Sequence, residues 1–168
     1  MNAAEAFAKG IRESGVKASI AIFRNIDDVA QIRKAFRVFL DVEAIACDIY
    51  PNKELFTYSE IKFADKCRKI IDGGGHIINQ NMEILGFIPK NKVGAYNDMI
   101  NTLSTYYLDA NEDMAKAGEL LYLHKNTIQY RLKKYKEKAP DGLVSIPEID
   151  EMYTALALHR LLEKKSIE

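Results

Sequence analysis

The sequence predicts an α+β chain in two parts: a small N-terminal unit in which strands alternate with helices, and a C-terminal part made only of helices. Three observations predict it. Two short runs of β-branched and aromatic residues, Ala18-Ser19-Ile20-Ala21-Ile22-Phe23 and Leu55-Phe56-Thr57-Tyr58, flank a long segment whose apolar residues recur every three or four positions. Glycine, asparagine and proline then crowd residues 73–94. Beyond them, apolar residues recur only at helical spacing.

The chain opens inside an amphipathic pattern, Ala4, Phe7, Ala8 and Ile11 ahead of Gly15, as a piece of a longer protein would. Ala18 to Phe23, bounded by Gly15 and Asn25, is expected to be a buried strand. Asp27 and Asp28 suit the positive end of a helix dipole. Val29, Ile32, Arg33, Phe36, Phe39, Leu40 and Ala44 then continue a long helix to about Ile49, where Pro51 stops it. After the second strand, Phe63 to Ile71 forms a short helix ended by Gly73-Gly74-Gly75. A strand-to-strand crossover of this length implies parallel pairing.

Residues 76–95 are expected to be a linker, with at most a helical turn or so at Met82-Glu83-Ile84-Leu85. Four helices follow: one marked by Met99, Ile100, Leu103, Tyr106 and Tyr107, then Met114 to Leu121, His124 to Lys138, and Glu148 to Lys164. Ser145 and Glu148 have the spacing of a capping box, and Pro147 is tolerated in a first turn because its missing N–H would be unpaired anyway. The expected divisions are 1–75, a 76–95 linker, and 96–168.

Composition narrows the function classes. With 24 basic and 24 acidic residues the net charge is zero, so bulk charge cannot hold nucleic acid and any such site must be local. Cys47 and Cys67 lack zinc or redox spacing and are expected in the core of a protein from a reducing compartment. No window is apolar enough to span a bilayer, and Met1 to Gly10 has no leader pattern, so the expectation is a cytoplasmic protein.

The informative stretch is Ala117 to Leu132. Two helices can cross steeply over a short turn only where a small residue sits at the crossing and apolar residues clamp it. Gly118 is the small residue; Leu121, Leu123, Ile128 and Leu132 are the clamp. Ile128, Leu132 and Tyr135 form one inward stripe, so the other positions of that helix face outward. Six cations, Lys125, Arg131, Lys133, Lys134, Lys136 and Lys138, meet one acid, Glu137, giving a local balance of +5. A phosphate backbone rewards such a stripe through counterion release. Asn and Gln can pair bidentately with adenine, and Lys can donate to guanine, so Lys125, Asn126, Gln129 and Tyr130 in the first turns are the candidate base contacts. Thr127, Arg131, Lys133 and Lys134 are the candidate phosphate contacts. His124 is expected to cap the helix and not to bind metal, since no other His or Cys lies at ligand spacing. Arg131 has an alternative role, bracing the helix pair through a carboxylate such as Glu119. A lysine run alone is commonly a solvated face; here the small-residue crossing, short turn and polar first turn precede it in order.

Leu121-Tyr122-Leu123-His124-Lys125-Asn126-Thr127-Ile128-Gln129-Tyr130-Arg131-Leu132 resembles the signature of the PucR/CdaR-type transcriptional regulators. Asn101 to Leu108 is similar to the preceding helix of that family, and Ala155-Leu156-Ala157-Leu158 to its closing helix, so the resemblance covers roughly Tyr96 to Leu162. Gly118 departs from the family's usual alanine, at about 1 kcal/mol of helix propensity. The resemblance implies a bacterial regulator of sugar-diacid or purine-catabolism type that binds double-stranded DNA through a C-terminal helix-turn-helix, as a homodimer. It implies a partial GGDEF-like α/β domain upstream, serving as dimer spacer or as a module responsive to a small-molecule effector. No cofactor and no catalytic residue is expected. Asp72-Gly73-Gly74-Gly75-His76 lacks the carboxylate of a catalytic GGDEF turn, and Asp27 and Asp28 are read as helix-start residues, not as metal ligands. The competing class is a protein-interaction or metabolite-sensing module whose helix pair is only structural; burial of Gln129, Tyr130 and Lys133 against the N-terminal part would favour it.

Overall fold

A computed structural model describes residues 3–90, 93–138 and 146–165. The chain divides into two compact units, one ending at Asp72 and the other beginning at Gly73.

In the N-terminal unit, α1 (Ala3–Glu13) precedes β1 (Ile20–Ile22), α2 (Val29–Ile49), β2 (Leu55–Thr57) and α3 (Tyr58–Asp72). The two strands pair in parallel, with Ile20 opposite Leu55 and Ile22 opposite Thr57, so α2 is the crossover that the sequence pattern implies. Helix α2 starts at Asp28, whose carboxylate accepts from the Gln31 N–H at 2.7 Å, while the Gln31 side chain accepts from the Asp27 N–H at 3.1 Å. Val42, Ala46 and Ile49 of α2 close on Phe56 and on Ile61, Ala64 and Cys67 of α3, all buried.

Three details differ from the expectations. Strand β1 is three residues long and half-buried, since only one further strand flanks it among the described residues. Helix α3 begins five residues before Phe63. The Glu60 carboxylate accepts from the Thr57 N–H at 2.7 Å and from its hydroxyl at 2.9 Å, a capping box that turns the chain from strand to helix without a loop. Cys67 is in the core, but Cys47 is half-buried beside the Ser19 hydroxyl.

The C-terminal unit contains α4 (Gly75–Met82), a 3-10 turn (Glu83–Leu85), α5 (Val93–Ser104), a π-helical turn (Thr105–Asp109), α6 (Met114–Leu121), α7 (Lys125–Lys136) and α8 (Ile146–Lys165). Helix α8 is the central element. Met152 and Ala155 to Leu158 are fully buried on several sides at once, because α4, α5 and the 3-10 and π turns all pack on it.

Much of 76–95 is therefore helix packed on α8 and not a linker. Leu85 and Ile88 are buried, and Ile78, Met82 and Leu85 carry a helical spacing that the surrounding glycines and asparagines obscure. Gly74, at a φ of 85°, makes the break before α4. Asn91 lies outside the described residues, as does Ser145 and with it the expected Ser145–Glu148 capping box. No helix among the described residues is long and apolar enough to cross a membrane.

Candidate nucleic-acid interface

The interface is built on α6 and α7. The Asp113 carboxylate caps α6, accepting from the N–H groups of Ala115 at 2.8 Å and Lys116 at 3.1 Å. Tyr122 ends the helix in the left-handed region, φ 55° and ψ 38°, and the Leu123 N–H returns to the Gly118 carbonyl at 2.8 Å. That closure brings the Leu123 carbonyl oxygen to 2.6 Å from where a Gly118 side chain would begin. Glycine thus removes a contact that alanine could relieve only by shifting the turn. Helix α7 begins two residues later, where His124 Nδ1 accepts from the Asn126 N–H at 3.2 Å, so the imidazole caps the helix.

Ile128, Leu132 and Tyr135 fix the inward face of α7. The Tyr135 ring stacks tilted on Phe87 at 4.9 Å and its hydroxyl donates to Met152 Sδ at 3.4 Å, which ties α7 to α8. Burial, reinforced by Tyr107, raises the Tyr135 hydroxyl far above its ordinary pKa. At the other end, the π-helical turn closes with the Ala110 N–H on the Thr105 carbonyl, and Asn111 and Glu112 both take positive φ to reach Asp113. The Asp109 carboxylate, only 7% exposed, receives both Arg160 nitrogens at 3.1 and 2.9 Å, locking this corner to α8.

Six of the eight sequence-predicted contact residues, Lys125, Asn126, Gln129, Tyr130, Lys133 and Lys134, are exposed. Asn126, Gln129, Tyr130 and Lys133 share the side of α7 opposite the buried stripe. Among the described residues Lys133 makes only a long, solvent-exposed pair with Glu137, at 3.9 Å. Thr127 is half-buried beside them.

Arg131 is turned the other way. Its Nη1 donates to the Thr102 hydroxyl at 2.9 Å and to the Asp98 carbonyl at 3.3 Å, and its Nη2 lies 3.3 Å from the Asp98 carboxylate. It braces α7 against α5, the alternative role the sequence allowed, but through Asp98 and Thr102 instead of Glu119. Sequence reasoning missed both this partner pair and the Asp109–Arg160 pair. Their separations of 29 to 51 residues leave no local signal.

An α6–α7 pair with a tight left-handed turn, held by flanking helices and presenting a polar, basic second helix, is a helix-turn-helix domain of the kind used by DNA-binding transcription regulators. Residues 99–158, from within α5 to within α8, match the family model of the PucR C-terminal helix-turn-helix domain, so this part of the chain is similar to domains of that type. Comparison with curated proteins and with solved structures gives no match.

Proposed function

We propose that the chain is a bacterial transcription regulator that binds operator DNA by placing α7 in the major groove. The observation that carries the proposal is the placement of Asn126, Gln129, Tyr130 and Lys133 on one exposed side of a helix whose opposite side is locked in the core. In this reading Lys125, Asn126, Gln129 and Tyr130 meet base edges, and Thr127, Lys133 and Lys134 meet phosphate. The bonds of Arg131 to α5 support giving it a positioning role in place of a phosphate contact.

Exposure of Gln129, Tyr130 and Lys133 supports the reading by leaving that side of α7 open to a duplex. The N-terminal unit is proposed to descend from a GGDEF-like domain, supported by its β–α–β crossover, and to act as dimer spacer or effector-responsive module in a cytoplasmic homodimer. No enzymatic role is proposed for it.

Selection from a random duplex library at two salt concentrations tests the proposal. Wild type is expected to enrich a palindromic motif that a Gln129→Ala, Lys133→Ala variant loses. Absence of enrichment by wild type at both salt concentrations would return the interaction-module reading.

A further inference from the structure

The N-terminal unit holds a cleft of about 470 Å³ at the carboxyl ends of its two parallel strands. Its wall is the loop after β1, its sides are the first turns of α2 and α3, and its volume lies within the roughly 300–1,000 Å³ of small-molecule sites.

Charge and shape together define what fits. Arg24, Lys34 and Lys62 line the cleft against one carboxylate, Asp65. Both oxygens of Asp65 are already taken, one by Arg68 at 2.8 Å and the other by Lys69 at 2.6 Å, and these bonds hold its pKa below the usual value. Arg24 and Lys34 have no carboxylate partner among the described residues, and Lys62 rests over the Tyr58 ring at 4.9 Å. Phe23 and Tyr58, with ring centroids 5.5 Å apart and planes tilted by 51°, add an aromatic wall to the same cleft. Cations and aromatic rings in one cleft favour a ligand that is both anionic and aromatic over a neutral apolar molecule or a small inorganic anion.

We infer that this cleft binds a planar aromatic or conjugated small molecule carrying two acid groups, with its body against Phe23 and Tyr58 and its acids on Lys34 and Lys62. The inference is independent of DNA binding, because every residue it uses lies in the N-terminal unit.

The test is fluorescence titration of the full chain with naphthalene-2,6-dicarboxylate in the absence of DNA, beside the neutral naphthalene-2,6-dicarboxamide. The dicarboxylate is expected to bind saturably, and a Lys34→Gln, Lys62→Gln variant to bind it at least about tenfold more weakly, as loss of two charge-assisted contacts requires. Both substitutions are at exposed positions, and unchanged far-ultraviolet circular dichroism verifies the fold. Amide shifts of Phe23 to Ile26 on titration locate the ligand. Absence of saturable binding, equal binding of the diamide, or an unaltered affinity in the double variant would each overturn the inference. Since no DNA is present, failure here and failure of operator binding are separate observations.

Discussion

Replacing Arg131 by methionine keeps the aliphatic stem that packs between α5 and α7 and removes only the guanidinium. Three bonds are lost, and they are unequal. The bond to the partly buried Thr102 hydroxyl, at 2.9 Å, is charge-assisted, a class that contributes about 1.5–3 kcal/mol. The two contacts to Asp98 are 3.3 Å long and more exposed, so each adds a few tenths of a kcal/mol at most, roughly the worth of surface pairs. The Thr102 hydroxyl keeps its own bond to the Asp98 carbonyl at 2.7 Å and is not orphaned, which places the total near the low end, about 2 kcal/mol. Urea unfolding followed by near-ultraviolet circular dichroism reads the right unit, because seven of the nine tyrosines, Tyr96, Tyr106, Tyr107, Tyr122, Tyr130, Tyr135 and Tyr153, lie in it. A bracing residue touches no phosphate, so the slope of log binding constant against log salt is expected to stay that of wild type. A slope lower by about 0.9, with stability within about 0.5 kcal/mol of wild type, would refute the bracing argument and make Arg131 a phosphate contact.

Asn126→Ala and Gln129→Ala are expected to relax sequence preference at separate base pairs, each costing about 1–3 kcal/mol of specific binding; competition with single-base operator variants reads this. Lys134→Ala is expected to weaken binding to all duplexes alike and to reduce the salt slope by about one. Asp109→Asn removes the anion from a mostly buried pair and is expected to destabilise the C-terminal unit by about 3 kcal/mol in urea unfolding, leaving Arg160 without its bidentate partner. Burial, then nearby Glu112, pushes Tyr107 and Tyr153 up to about 12, against 10 for an unhindered phenol. Because the folded values are the higher ones, this stability is fully present below pH 10 and is lost as pH rises towards 12. Titration at 295 nm is expected to show these two phenols ionising near pH 12.

The helix-turn-helix was legible in sequence because its determinants are local. Gly118, the clamp residues and the His124 cap act within fifteen positions, and the inward stripe of α7 has helical spacing. The β–α–β order was legible for the same reason, since Asp28 and Pro51 bound α2 directly. What escaped was set by distant contacts. Arg131 looks like one more cation of the stripe until α5 brings Thr102 and Asp98 beneath it. Segment 76–95 reads as punctuation because single glycines and asparagines outweigh a weak apolar spacing that becomes useful only once α8 packs on it. The apolar spacing of α2 marked a helix but not its inner side. Val29, Ile32, Phe36 and Leu40 are more than half exposed, while the core is made by Val42, Ala46 and Ile49.

In the proposed complex α7 meets DNA through the side opposite its buried stripe. The most direct test is an amide chemical-shift map of the labelled full chain titrated with its selected duplex. The largest shifts are expected in Lys125 to Lys134, with Asn126, Gln129, Tyr130 and Lys133 foremost and the buried segment Ala155 to Leu158 little changed. Shifts concentrated on α4 or α8, with α7 unmoved by saturating duplex, would contradict that placement.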